Sequence, residues 1–305
     1  MDQEIELRHL RYFVAVAEEL HFGRAARRLH LSQPPLSQQI RRLEELLGYP
    51  LLVRTSRAVR LTSAGEVFLE RAQRTLRKMD EDVEAMRTVA RGEAGTLAVG
   101  FIGSGMLTTI PAMLGHYRAH FPRVTLQLRE SYSSGVIRGL KEGSLDVGFV
   151  RDGDPTEGLA AETLFCEPFL AVLPAKHPLA QRSRSMIDAA QLAGEPFVFY
   201  SPLAGNRAYE KPMSLCEAAG FRPRLVQEAP QWLTIMRLVG AGLGVSIGPA
   251  CVERIRTAEV VCRRLRVPGR VSAVRSEIAL TWRAGDNRPI VEAFCRMARE
   301  KLRRR

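Results

Sequence analysis

Apolar side chains in the first ninety residues recur at the i, i+3, i+4 spacing that places them on one face of a helix. Three short stripes have this spacing: Leu10, Phe13, Val14 and Ala17; Phe22, Ala25, Ala26 and Leu29; and Leu36, Ile40 and Leu43. Only His30-Leu31-Ser32 separates the second stripe from the third, so the pattern predicts a helix-turn-helix. Ser32 is placed to cap the third helix, and Pro34 and Pro35 suit its first turn.

Two further elements are predicted before residue 92. Residues 51–61, LLVRTSRAVRL, have the pattern of two short strands around a turn. A long helix over 64–91, about 42 Å in length, follows a capping box formed by Ser63 and Glu66. Its apolar positions form a heptad seam: Leu69, Ala72, Leu76, Met79, Val83, Met86 and Ala90. The seam favours self-association, and packing against the chain itself is the alternative.

After residue 92 short apolar runs alternate with helical patterns, which indicates an α/β domain. The predicted strands are 96–102, 124–128, 145–150, 169–174, 197–200, 224–228, 245–247, 260–264 and 278–282. The predicted helices are 107–120, 135–142, 207–219, 232–241 and 289–303.

Composition and charge narrow the classes of function. The 305 residues contain 45 Lys and Arg against 33 Asp and Glu, a formal charge of +12 that favours a polyanionic partner. The N-terminal MDQEIELRH has no apolar stretch, and no run approaches the roughly 20 apolar residues of a membrane helix. We therefore expect a cytoplasmic protein with no membrane partner.

The positive charge concentrates in residues 24–60, where eight arginines accompany two glutamates. This pattern predicts a third helix that enters the major groove of double-stranded DNA and a basic wing that contacts phosphate or the minor groove. A small helical bundle with a solvated basic face is the alternative. The candidate DNA-binding residues are Ser32, Gln33, Pro34, Pro35, Ser37, Gln38, Arg41 and Arg42 on the helix and Arg54, Arg57 and Arg60 on the wing.

Polar segments rich in serine and glycine follow several predicted strands of the α/β half. They are Gly103-Ser104-Gly105, the stretch 131–135 and Tyr200-Ser201-Pro202. Parallel sheets bind ligands beyond the carboxyl ends of their strands, where helix N-termini favour an anion. The pattern therefore predicts a site for a small carboxylate.

The sequence gives little support for metal binding, a redox switch or enzymatic activity. The five cysteines are scattered without zinc-ligand spacing, and no metal or cofactor is expected. A cysteine redox switch, for which Cys216 is the candidate, and a small-molecule binding protein that does not bind DNA remain as alternatives. Nucleophile-elbow, phosphate-loop and zinc-protease motifs are absent from the sequence, so no enzymatic activity is expected.

Over nearly its full length the chain resembles the LysR-type transcriptional regulators. The resemblance rests on residues 7–48, LRHLRYFVAVAEELHFGRAARRLHLSQPPLSQQIRRLEELLG, and on LTSAGEVFL, GFIGS, LKEGSLDVGFVR, AVLPAKHPLA and LVGAGLGVSIGP. It is greatest to the branch that senses aromatic or small carboxylic acids. The resemblance implies an N-terminal winged helix-turn-helix (1–63), a linker helix (64–92) and a two-lobed, periplasmic-binding-protein-like effector domain (95–305).

The resemblance also implies lobe boundaries, site residues and partners. Lobe I would comprise 95–166 and 272–305, and lobe II 167–271. The implied effector-binding residues are Ser104, Ser133, Ser134, Arg151, Tyr200, Ser201, Pro202, Trp232 and Thr234. For Arg151, ligand binding and a structural ion pair with Asp152 or Asp154 are both open. The family pattern implies an activator that binds a small organic acid as coinducer, assembles as a dimer of dimers and contacts RNA polymerase.

Overall fold

A winged helix-turn-helix occupies the N-terminal part of the computed structural model, which describes residues 4–55, 58–153, 156–181, 186–268 and 274–302. Its elements are α1 (Leu7–Glu19), α2 (Phe22–Arg28), α3 (Gln33–Leu47), β1 (Leu52–Arg54), β2 (Val59–Leu61) and α4 (Ser63–Ala90). Strands β1 and β2 pair antiparallel to form the wing. The second and third predicted stripes meet Phe13 and Ala17 of the first in one core, in which Phe13, Ala25, Leu36, Ile40 and Leu43 are fully buried. Leu10 and Val14 of the first stripe are only half-buried and lie outside that cluster.

Two helix starts differ from the predicted capping. The chain folds into α4 at Thr62, whose Oγ accepts a hydrogen bond from the Gly65 N–H at 2.9 Å and donates one to the Pro50 carbonyl. The predicted capping box at Ser63 and Glu66 is therefore wrong, because Ser63 already lies inside the helix. Ser32 does stand at the N-cap of α3, but its side chain makes no capping hydrogen bond.

The C-terminal part, from Val89 onward, forms a separate compact unit. Its elements are β3 (Ala94–Phe101), α5 (Ile110–His120), β4 (Arg123–Glu130), α6 (Ser133–Lys141), β5 (Val147–Arg151), β6 (Leu159–Glu167), β7 (Phe169–Pro174), α7 (Pro178–Gln181), β8 (Met186–Asp188), β9 (Pro196–Tyr200), α8 (Asn206–Ala218), β10 (Arg224–Ala229), α9 (Trp232–Gly240), β11 (Ser246–Pro249), β12 (Val260–Arg266), β13 (Ser276–Arg283) and α10 (Pro289–Leu302).

Two sheets organise this unit. The first has the strand order β4-β3-β5-β13-β6, with β4, β3 and β5 parallel. The second has the order β11-β7-β12-β8, and the parallel pair β9–β10 lies beside it through a bridge between Phe197 and Val245. The chain passes from the first sheet to the second between β6 and β7 and returns between β12 and β13. This is the predicted α/β, two-lobed architecture.

Candidate functional site

The exposed face of α3 carries most of the candidate DNA-reading side chains. Leu36, Ile40 and Leu43 are fully buried on its inner face. On the other side Gln33, Gln38 and Arg41 are exposed, whereas Ser37 and Arg42 are half-buried. Pro34 and Pro35 are also exposed, in the first turn. The helix thus presents amide and guanidinium groups that suit the base edges of the major groove.

Buried His9 holds α3 against α1. Its Nδ1 accepts a hydrogen bond from the Glu6 N–H at 3.0 Å, so Nε2 carries the ring hydrogen and donates to Gln39 Oε1, also at 3.0 Å. His9 is only 3% exposed. This contact joins α1 to α3 beside the buried apolar face of α3.

The wing arginines differ in position. Arg60 is exposed, as expected of a residue that contacts phosphate. Arg54 is half-buried, pairs with Glu44 and lies over the Phe22 ring at 5.3 Å from its centroid. Glu44 also accepts hydrogen bonds from the backbone N–H groups of Leu51 and Leu52. The charge of Arg54 is therefore compensated by Glu44, and the side chain ties the wing to α3; its contact with DNA stays a prediction. Arg57 lies outside the described residues.

A cavity of about 730 Å³ opens between the two sheets of the C-terminal unit. One wall, from the ends of β3 and β4, includes Ser104, Glu130, Ser131 and Tyr132. The opposite wall includes Tyr200, Gln231 and Trp232, and apolar residues such as Leu107 and Ile255 complete the lining. Of the predicted effector-binding residues, Ser104, Tyr200 and Trp232 line this cavity.

Trp232 and Tyr200 form an aromatic wall. Their rings stack with centroids 5.8 Å apart and an angle of 8° between planes. Gly248 on β11 makes room for the indole, because a Cβ there would lie 2.4 Å from Trp232 Cη2. Burial raises the pKa of Tyr200 to about 12, so its hydroxyl stays neutral and available for hydrogen bonding.

Arg151 lies behind the cavity at the junction of the two sheets and is 5% exposed. Its Nε donates to Ser104 Oγ at 3.0 Å, and its Nη1 donates to Glu167 Oε1 at 2.6 Å and Ser276 Oγ at 2.7 Å. Its Nη2 donates to Cys251 Sγ at 3.3 Å. The structural ion pair is therefore with Glu167, whereas Asp152 is reached only through Ser276 and Asp154 lies outside the described residues.

The remaining predicted effector residues do not line the cavity. Ser133 is buried, and its hydroxyl both donates to the Arg151 carbonyl and accepts from the Arg151 N–H, which fixes the end of β5. Ser201 is buried and Pro202 half-buried, while Ser134 and Thr234 are exposed elsewhere. None of these five residues is part of the cavity lining.

Glu130 and Gln231 line the cavity but were not among the residues predicted from the sequence. Glu130 ends β4, two residues beyond the predicted end of that strand, and Gln231 is the N-cap of α9. The rule that ligands bind beyond the carboxyl ends of parallel strands points to Glu130 once the strand is given its true length.

The cysteines lack the features of a redox switch. All five thiols are free, and burial raises the pKa of Cys216, the candidate for such a switch, to about 12. Burial likewise raises the pKa of Cys251 to about 12, although Arg151 opposes the shift. A high pKa suppresses the thiolate that oxidants attack.

The described residues contain neither a cluster of metal ligands nor a helix suited to a membrane. Within these ranges there is no group of three or more His, Cys, Asp or Glu side chains that could hold a metal ion. No helix in the described part of the chain has the length and apolar character needed to cross a bilayer.

Family comparisons agree with both halves of the structure. The family described as "Bacterial regulatory helix-turn-helix protein, lysR family" matches residues 7–66, and "LysR substrate binding domain" matches residues 90–303. The regulator AlsR of Bacillus subtilis is 38% identical over 302 residues, covering 97% of this chain and 98% of AlsR. The hca operon transcriptional activator HcaR of Escherichia coli is 37% identical over 298 residues, covering 98% of each chain.

A solved structure covers the same length. Full-length CbnR in complex with its target DNA superposes with a TM-score of 0.81 at 29% identity, covering 98% of this chain and all of that chain. The named relatives are transcriptional regulators rather than enzymes. The winged helix-turn-helix, the two-sheet domain and these matches over nearly the whole chain agree with one another, and the protein belongs to the LysR family of DNA-binding transcriptional regulators.

Proposed function

We propose that a small organic acid binds between the two lobes as a coinducer and controls promoter binding by the N-terminal domain. In this proposal residues 1–63 bind DNA, 64–92 link and dimerise, and 95–305 bind the effector, with the lobes divided at 166/167 and 271/272. The observation that carries the proposal is the position of Ser104. This residue lines the cavity, and its Oγ accepts a hydrogen bond from Arg151 at the lobe junction.

The hydrogen bonding of Ser104 favours a carboxylate. A serine hydroxyl has one hydrogen to donate, and Ser104 Oγ accepts from Arg151 Nε, so its own hydrogen is free to point into the cavity. Ser131 supplies a second hydroxyl on the same wall. Hydroxyls and an aromatic wall together suit an acid with an apolar body.

Arg151 offers a route from the ligand to the lobe junction. Its guanidinium contacts Ser104 at the cavity, Glu167 at the end of β6 and Ser276 at the start of β13. Glu167 in turn accepts a hydrogen bond from the Cys251 N–H on the other lobe, at 2.7 Å. A ligand that displaces Ser104 would therefore also displace groups near both chain connections between the lobes. The backbone has to bend at these connections when the lobes close.

Replacement of Ser104 by alanine tests the site. We expect a thermal-shift screen of benzoate, muconate, 3-phenylpropanoate and acetate to find an acid that raises Tm, and Ser104→Ala to reduce that shift by more than half. Ser134→Ala is the matched control, because Ser134 is exposed and does not line the cavity. Stabilisation by neutral compounds but by none of the acids would contradict the carboxylate proposal.

The apolar seam of α4 supports self-association. Met79 and Met86 are 38% and 61% exposed, and with Val83 they line a shallow groove along the helix. Exposed methionines in a heptad register are typical of a surface that another helix covers. We further propose that two such dimers associate, and that the cytoplasmic assembly activates transcription by contacting RNA polymerase.

A charge placed in the seam is expected to weaken the dimer. Val83→Lys should raise the dimer dissociation constant at least tenfold, because a lysine at a seam position has to be desolvated or displaced. Ala85→Lys adds the same charge at an exposed position outside the seam and should leave the dimer intact. Analytical ultracentrifugation measures both, and equal dissociation constants would rule out the seam as the interface.

A further inference from the structure

The cavity wall contains a carboxylate, that of Glu130, with which a ligand bearing only a carboxylate could not pair. Glu130 lies in the same wall as Ser104 and Ser131, and its side chain is exposed. No described residue donates a hydrogen bond or forms an ion pair with its carboxylate. Among the described lining residues none is Lys, Arg or His, so the cavity offers no cation to balance Glu130.

Arg151, which contacts Ser104 from behind the cavity wall, is already committed to other partners. The guanidinium of Arg151 is buried, forms an ion pair with Glu167 and donates further hydrogen bonds to Ser104, Ser276 and Cys251. A bound monoanion would therefore face Glu130 without a free positive charge to compensate the repulsion. Like charges brought together in one site disfavour binding.

The Glu130 carboxylate lies against Gly103, in the same cavity wall as Ser104. Gly103, the residue before Ser104, leaves space for it, because a Cβ built on Gly103 would lie 2.6 Å from Glu130 Oε1. The wall thus places an acceptor-only group next to hydroxyl donors. A ligand that pairs with the Glu130 carboxylate and also accepts from these hydroxyls needs a charged donor and an acceptor separated by only a few atoms.

We propose that Glu130 determines specificity and that the coinducer is a small zwitterion, an amino acid with an apolar or aromatic body. Its carboxylate accepts from the Ser104 hydroxyl, its ammonium pairs with Glu130, and its body lies against Tyr200 and Trp232. The aromatic rings favour a nearby cation as well as an apolar body. This inference rests on the proposed function, since it adds an ammonium to the carboxylate proposed for the same site.

Three probes that differ only in their charged groups test the inference on the full-length protein. They are phenylalanine, with both groups, 3-phenylpropanoate, with the carboxylate alone, and phenethylamine, with the ammonium alone. Each is titrated by calorimetry at up to millimolar concentration against the wild type, Glu130→Gln and Glu142→Gln. The last variant is the matched control, because Glu142 is exposed at the end of α6 and lies outside the cavity.

We expect the wild type and Glu142→Gln to bind phenylalanine on the order of tenfold more tightly than 3-phenylpropanoate, as a charge-assisted pair would give. Glu130→Gln should abolish that preference, because it weakens phenylalanine binding and removes the repulsion that weakens 3-phenylpropanoate binding. The inference is overturned by an unchanged preference in Glu130→Gln, by equal binding of both acids to the wild type, or by no binding of any probe.

Phenethylamine separates the inference from the proposed function. If it binds as tightly as phenylalanine and loses affinity in Glu130→Gln, the role of Glu130 stands and the proposed carboxylate site is wrong. If 3-phenylpropanoate binds most tightly and Glu130→Gln tightens it further, the carboxylate site stands and the zwitterion is wrong.

Discussion

Simultaneous replacement of Gln33, Ser37 and Arg41 by alanine is expected to weaken specific promoter binding at least 100-fold. These side chains occupy one face of α3, and a good contact to a base edge contributes about 1–3 kcal/mol of discrimination. The buried residues of the helix, including Leu36, Ile40 and Leu43, are unchanged, so the domain should still fold. Fluorescence anisotropy with DNA from upstream of the gene measures the effect.

The matched control removes one positive charge from the other unit. Arg118→Ala on α5 changes the net charge as Arg41→Ala does, and should leave promoter affinity almost unchanged. Non-specific binding should fall only modestly in the triple variant, because most phosphate contacts remain. Wild-type affinity in the triple variant would show that another surface recognises the DNA.

Replacement of Arg151 by methionine is expected to lower the free energy of unfolding of the effector domain by about 3–5 kcal/mol. The change leaves the carboxylate of Glu167, whose side chain is 13% exposed, without its cationic partner. It also removes the hydrogen bonds from the guanidinium to Ser104, Ser276 and Cys251. Trp232 and Trp282 are the two tryptophans of the chain, so fluorescence during urea unfolding reports this domain alone.

A double variant distinguishes the ion pair from general damage to packing. Arg151→Met/Glu167→Gln should recover a large part of the lost stability, because the uncompensated buried charge is gone. Equal losses in the single and double variants would mean that the arginine acts through packing. A loss below about 1 kcal/mol in Arg151→Met would show that the pair is solvated, as exposed ion pairs are.

Strongly periodic elements could be predicted from the sequence. The strand Phe169–Pro174 has the predicted bounds, because an uninterrupted apolar run buried on both faces leaves little ambiguity. Strand β6, Leu159–Glu167, was not predicted. It forms the edge of the first sheet, where a half-buried Glu162 and an exposed Thr163 interrupt the apolar pattern.

The roles of most site residues could not be predicted, because they depend on contacts between parts of the chain that are distant in the sequence. Arg54 looks like any other wing arginine in the sequence, and only the fold brings Glu44 and Phe22 to it. Ser133 has the hydroxyl expected of a ligand contact, but in the fold that hydroxyl forms hydrogen bonds with the backbone of Arg151 instead. Ser104 was predictable because its position after a parallel strand is a local property.

Ligand-dependent binding of DNA can be measured by footprinting of the full-length protein on the DNA upstream of its own gene, with and without the acid that stabilises it most. We expect protection of two half-sites about one helical turn or a multiple apart, salt-sensitive binding, and a footprint that changes when the acid is added. No protection at low salt, or a footprint that the acid leaves unchanged, would contradict this expectation.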